Sequence, residues 1–222
     1  MTADTTGGAV TPRVDNIMVV GVGGQGVIMA AAIIADAALL SGLDVKLIET
    51  RGMSQRGGSV NSHIRIGERV AAPAISPGEV DYLLAFETAE GLRMAPSLAP
   101  DGVAIVNTQQ IVPPLASSAE HSYPFDAVER LAAQGRDVLA VDGNAIAEEV
   151  GDQKVAGVVL VGALAARLDL DEQTWRQAIA DNVPPKWLEL NLQAFAAGQG
   201  VGTLGAQTAQ PAAGAAAEGG RP

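Results

Sequence analysis

The sequence predicts an α/β fold: three layers, with a mostly parallel or mixed sheet, helices on both faces and a Rossmann-like start. Three observations carry this. Asn16-Ile-Met-Val-Val-Gly-Val-Gly-Gly-Gln-Gly-Val27 reads as an apolar strand, a glycine-rich turn and the entry to a long Ala/Ile/Leu helix. Short apolar runs then alternate with helix-length segments as far as Gly198, the pattern of strands connected by crossover helices. With 222 residues, 48% of them hydrophobic, the chain can bury one full-sized core.

Residues 1–14 are rich in Thr, Gly, Ala and Pro and read as a disordered leader before a domain spanning 15–198. Asn16 to Val20 is the first strand. Gln25 to Leu40 is apolar almost all round, with Asp36 its single charge, so this helix is expected to be buried on two sides. Ser41-Gly42 stops it. Asp44 to Glu49 forms a second strand and completes a βαβ start. Thr50 to Gly58 is a polar, glycine-rich loop. Ser59 to Ile66 then alternates, with Val60, Ser62, Ile64 and Ile66 on one face and Asn61, His63 and Arg65 on the other.

Further strands follow at Tyr82–Phe86, ending in Glu87, at Val103–Val106, ending in Asn107, and at Val138–Val141. Helices are expected over Ala89–Leu98, Asp126–Gln134, Gly143–Val150, Val155–Leu168 and Asp171–Ala180. A long Pro/Ser-rich loop covers Val112–Phe125. Pro184-Pro185 breaks the chain before a last helix, Lys186–Ala197. Residues 199–222 are Gly/Ala-rich without periodicity and read as a disordered tail.

Composition narrows the function classes. Fourteen Lys and Arg against 25 Asp and Glu leave a net charge of −11, which disfavours nucleic acid and anionic membranes as partners. There is no cysteine, so this chain has no thiolate for an iron–sulfur cluster, a zinc ion or nucleophilic catalysis. Its two histidines, His63 and His121, lie far apart in sequence, and no metal site is expected. No secretory h-region and no membrane-length apolar run is present, and a cytoplasmic location is the default expectation.

In an open α/β sheet, ligands bind beyond the carboxyl ends of the strands. The candidate residues are those that the predicted strand ends bring there. Gly21, Gly23, Gly24, Gln25 and Gly26 form the first turn, where glycine permits positive φ and close approach of a ligand. The helix that follows aims N–H groups and a positive dipole end at that ligand. Gln55, Arg56, Gly57, Gly58 and Ser59 form a second glycine-rich element with a cation, suited to an anion. Glu87 ends the strand from Tyr82. Glu49 lies 23 positions beyond Gly26, close to the place of a ribose-binding carboxylate in a dinucleotide fold. Pairing with a nearby arginine explains it equally well. His63 reads as a surface or interface residue. No catalytic residue is assigned.

Three segments together resemble one family: Gly21-Val-Gly-Gly-Gln-Gly26, Glu49-Thr-Arg-Gly-Met-Ser-Gln-Arg-Gly-Gly-Ser-Val60 and Ser62-His-Ile-Arg-Ile-Gly67. Asp81-Tyr-Leu-Leu-Ala-Phe-Glu87 and the run from Val183-Pro-Pro-Lys-Trp187 to Gly198 add to the likeness. The family is the gamma-type domain of the pyruvate/ketoisovalerate and other 2-oxoacid:ferredoxin oxidoreductases, and the pattern is most similar to its indolepyruvate branch. The resemblance implies a subunit, inactive on its own, of an enzyme that oxidatively decarboxylates an indolepyruvate-type or other arylpyruvate 2-oxoacid to an acyl-CoA and reduces ferredoxin. It implies a large alpha subunit carrying thiamine diphosphate and [4Fe-4S] clusters, with coenzyme A as acyl acceptor. The two glycine-rich elements and Glu87 would line the active-site or coenzyme A cleft, and none of these cofactors would be bound by this chain alone. Which 2-oxoacid is used stays open. Two other readings remain: a free-standing nucleotide-binding protein for ATP or NAD, and a non-catalytic assembly subunit whose glycines serve chain–chain packing.

Overall fold

The computed structural model describes residues 13–51, 58–113 and 123–209. The expected leader therefore lies largely outside the described residues, as do Gln55, Arg56 and Gly57 and the middle of the Pro/Ser-rich loop. Six strands form one sheet: β1 (Val14–Val22), β2 (Asp44–Arg51), β3 (Ser59–Gly67), β4 (Val80–Ala85), β5 (Leu98–Asn107) and β6 (Asp137–Val141). The helices are α1 (Val27–Leu40), α2 (Thr88–Met94), α3 (Ala127–Ala133), α4 (Gly143–Val150), α5 (Ala156–Ala165), α6 (Glu172–Asn182) and α7 (Leu188–Ala209).

The strand order is β2-β3-β1-β4-β5-β6. β1, β4, β5 and β6 run parallel, whereas β3 lies antiparallel to both β1 and β2. The sheet is thus mostly parallel with one reversed strand, as the fold class anticipated. One detail departs from expectation: β2 does not sit beside β1. Only seven residues separate β2 from β3. So short a connection closes an antiparallel pair, while a parallel neighbour needs a crossover of about a dozen residues or more. β3 therefore inserts between β1 and β2, and the expected adjacent βαβ unit is split.

The alternation along β1 serves two cores. Ile17 and Val19 face a layer that contains Ile33 and Ile34 of α1, Val158 and Val159 of α5, Trp175 of α6 and Phe195 of α7. Met18 and Val20 face the opposite side with Leu83, Ala85, Val106 and Leu131, under α2 and α3. Helices therefore cover both faces, giving the three layers.

The last helix does not end near Ala197. α7 continues to Ala209, so part of the segment expected to be a disordered tail is helical. The reason is tertiary. A Cβ on Gly162 would collide with the carbonyl oxygen of Phe195, one on Gly198 with that of Val159, and one on Gly202 with that of Ala163. Glycines that suggest a loop by composition here let α5 and α7 approach backbone to backbone. A Cβ on Gly205 would stand 2.6 Å from Leu139, so the added turns also cover β6. Among the described residues no helix is long and apolar enough to cross a membrane.

Candidate functional site

The carboxyl ends of β1, β4 and β5 and the amino end of β3 meet at one rim of the sheet. Val22 is in register with Ser59, and just beyond them the Gly23 N–H donates to the Gly58 carbonyl at 2.9 Å. The first glycine turn and the end of the second are thereby one structure. Gly24 and Gly26 have φ of 103° and 89°, the left-handed region that an L side chain resists. A Cβ on Gly21 would lie 2.8 Å from Gln25 Oε1, Phe86 Cβ and Val27 Cγ2, so its smallness is a packing requirement. α1 begins at Gly26 without a side-chain cap and without an acidic residue in its first turn. Among the described residues no side chain caps its first N–H groups, the arrangement that suits an anion.

Gln25 holds this rim together. Its Oε1 accepts from Val22 N at 2.7 Å. Its Nε2 donates to Phe86 O at 2.9 Å and to Gln109 Oε1 at 2.8 Å, linking the turn to β4 and to the segment after β5. Asn107, buried at the end of β5, repeats the device one strand further on. Its Nδ2 donates to Phe86 O and to Asn144 Oδ1, and its Oδ1 accepts from Gly143 N at 3.1 Å. These amides cost little desolvation because each is satisfied.

Beside them opens a cleft of about 330 Å³. Gly24, Gln25, Gly26, Asn107, Gln109 and Asn144 form one side, and Gln153, Lys154, Ala156 and Gly157 form the other. A 3-10 turn, Gln153–Val155, leads into α5 there, with Asp152 capping it through Lys154 N. Lys154 is the one charged group among the described lining residues. Its ammonium stands 3.8 Å from Asp152 Oδ2 and its side chain is 86% exposed, so that pair leaves the cation free to serve a ligand. Neutral amides, a helix N-terminus and one lysine make a lining suited to a polar ligand that carries negative charge.

The candidate residues named from the sequence separate into groups. Gly24, Gln25 and Gly26 line the cleft; Gly21, Gly23 and Gly58 shape the turn behind it. Ser59 turns toward α2, where its Oγ donates to Glu90 Oε2 at 2.7 Å and accepts from Arg93 Nη2 at 2.6 Å. Glu87 is 1% exposed and does not line the cleft. It caps α2 by accepting from Glu90 N at 2.9 Å, and its other oxygen accepts from Ile111 N and from the Tyr123 hydroxyl. Tyr123 is pushed up to about 12, first by burial and then by this bond to Glu87, and so stays protonated as the donor. Glu49 is in register with Ser62 of β3, which puts a whole strand between it and the β1 turn and removes the ribose-binding geometry. His63 accepts a hydrogen bond from Ile75 N through Nδ1, and burial lowers its pKa.

Gln109, Asn144, Gln153 and Lys154 were not singled out by sequence reasoning. The strand-end rule that pointed to Asn107 extends to Gln109 and Asn144, which lie just beyond the ends of β5 and β6, Asn144 in the first turn of α4. Gln153 and Lys154 carry no comparable signal, because only the packing of α5 against the sheet brings them to the rim.

This geometry sits within a family. Residues 16–201 match the pyruvate ferredoxin/flavodoxin oxidoreductase family. Indolepyruvate oxidoreductase subunit IorB of Archaeoglobus fulgidus is 40% identical over 187 residues, covering 82% of this chain and 92% of that one. The IorB of Thermococcus kodakarensis is 36% identical over 188 residues, covering 82% and 93%. Among solved structures, the gamma subunit of a keto/oxoacid ferredoxin oxidoreductase from Geobacter sulfurreducens matches with a TM-score of 0.65 at 26% identity, over 86% of this chain and 99% of that one. The chain belongs to the pyruvate ferredoxin/flavodoxin oxidoreductase family.

Proposed function

We propose that this chain is the small subunit of an indolepyruvate-type 2-oxoacid:ferredoxin oxidoreductase and supplies one wall of its coenzyme A-facing cleft. The observation that supports it most directly is the lining of the cleft, where the uncapped N-terminus of α1, Lys154 and a ring of amides face one space. This donor set fits the charge and the amide-rich arm of coenzyme A. When bound, coenzyme A supplies the thiol that receives the acyl group.

The chain's own residues bind and orient. The α1 N–H groups and Lys154 receive negative charge, Gln109, Asn144 and Gln153 offer amide hydrogen bonds, and Gln25 and Asn107 hold the rim open at fixed width. Gln55 and Arg56 lie outside the described residues; by sequence they supply an amide and a cation suited to an anion. Thiamine diphosphate fits less well. The described lining holds no carboxylate for the divalent ion that accompanies a diphosphate. The absence of cysteine excludes thiolate ligation of a cluster by this chain. Both groups are therefore assigned to a large alpha subunit, which would also pass electrons to ferredoxin, in the cytoplasm.

The test is reconstitution. The chain alone should leave viologen unreduced, and the chain with its large partner should reduce it only when an arylpyruvate and coenzyme A are both present. A chain that bound ATP or NAD tightly by itself, and left the large subunit's activity unchanged, would overturn the proposal.

A further inference from the structure

A second, smaller pocket of about 150 Å³ lies against the cleft. Its walls are mostly apolar, with Met29 of α1, Val155, Val183, Trp187 and Leu190, and Asn191 adds an amide. Lys154 belongs to both pockets, and Asp152 stands at the rim beside it. The first turn of α1 also joins them, since Gly26 borders the cleft and Met29, three residues on, borders the small pocket. The two cavities are thus neighbours across Lys154 and Met29, one amide-lined and one greasy.

The small pocket is held in shape. Trp187 N donates to Pro184 O at 2.8 Å, and Asn191 Nδ2 donates to Trp187 O at 2.8 Å, fixing the backbone that carries the indole. The indole nevertheless remains 41% exposed, with the Lys186 ammonium 5.3 Å from its ring centroid. Its exposed part leaves flat apolar surface against which an aromatic ligand can stack. A cavity of roughly 150 Å³ with aliphatic and aromatic walls is sufficient to seat one ring of a bicyclic indole or purine.

We propose that this pocket is a ring subsite. It takes the flat aromatic part of a ligand whose anionic part rests against Lys154 and the N-terminus of α1, with Trp187 as the wall that selects for the ring. The proposal rests on the reading of the larger cleft as ligand-binding. Two sources share this chemistry, the aryl group of an arylpyruvate and the purine of coenzyme A.

The test uses the reconstituted complex with Trp187→Ala, Trp187→Phe and Lys154→Ala. KM is read for indolepyruvate against 2-oxobutyrate, and for coenzyme A against pantetheine, which lacks the nucleotide. Trp187→Ala should raise one of these two KM ratios about tenfold, and Trp187→Phe should restore it to within about threefold. A change in the oxoacid ratio assigns the aryl group; a change in the acceptor ratio assigns the purine. Both ratios staying within twofold, while Lys154→Ala raises the KM for coenzyme A, overturns the subsite and leaves the cleft. If neither variant changes any KM, the cleft reading fails and the subsite with it. Dissociation of the complex on gel filtration with Trp187→Ala would overturn the subsite in favour of a protein contact.

Discussion

The Gly23 N–H donates to the carbonyl of Gly58 at 2.9 Å, joining two glycine-rich stretches that are remote in sequence. The bond exists because β3 runs antiparallel beside β1, so that the start of one strand meets the end of the other. It makes the rim a single wall, and the amide of Gln25 extends that wall to β4 and to Gln109.

Gln25→Ala should loosen the rim. It removes three hydrogen bonds at a partly buried position, each contributing about 1 kcal/mol net. A loss of about 2–3 kcal/mol in unfolding free energy is expected by denaturant titration. The KM for coenzyme A in the reconstituted complex should rise as well. Unchanged stability would show that the amide does not brace the turn.

The glycines of the turn should differ in what they tolerate. Gly24 has nothing within 4 Å of a Cβ, so Gly24→Ala meets only the cost of positive φ, about 1–2 kcal/mol. Gly21→Ala faces three contacts at 2.8 Å and should lose about 1–3 kcal/mol through overpacking. Melting temperatures should fall by about 2–4 °C per kcal/mol in a domain of this size. A ligand that protects wild type against heating should protect the Gly24 variant less, because the strain sits in the cleft wall.

Tyr123 should give the protein an alkaline transition. Its pKa is raised in the folded state from the ordinary 10.0 to about 12, so the folded form holds the phenolic proton more tightly. That stabilisation is complete below pH 10 and is lost as pH rises through 12. Tyr123→Phe should flatten the stability profile in that window, read by denaturation at pH 9 and pH 11. Glu87→Ala removes the cap of α2 and the bond from the Tyr123 hydroxyl, which keeps its contact with Thr88 Oγ1 at 2.8 Å. A cost of about 2–4 kcal/mol is expected.

The α5–α7 crossing should separate two glycines of one helix. Gly198→Ala would drive a methyl group into the carbonyl of Val159 and should cost more than about 3 kcal/mol, beyond the usual range of single substitutions. Gly200 is exposed with open space around it, and Gly200→Ala should be neutral or stabilise by about 0.5–1 kcal/mol. Circular dichroism melts of the pair decide the matter, and equal effects would refute the backbone-to-backbone packing.

Much of this protein was determined locally and so could be read from the chain. The apolar run Ile17–Val20, the glycine turn and the unbroken apolar face of α1 encode a strand, a bend and a doubly buried helix, because periodicity and φ preferences are properties of neighbouring residues. The likeness that spans Gly21–Gly26, Gln55–Ser59 and Val183–Gly198 was legible for the same reason. Strand order was not. β3 lies between β1 and β2 because antiparallel pairing across a short connection competes with the βαβ reading of the same residues. That choice moved Glu49 a strand away from the turn. Nor could local signals distinguish the glycines of a flexible segment from Gly198 and Gly202, which carry a helix crossing. Glu87 offered a strand-end carboxylate to the eye, yet the fold spends it on a helix cap and Tyr123. Gln153, Lys154 and Trp187 reach the cleft and its neighbouring pocket only because α5 and the turn before α7 pack where they do. Which side chains share a cavity is decided by long-range packing, which no short stretch of the chain specifies.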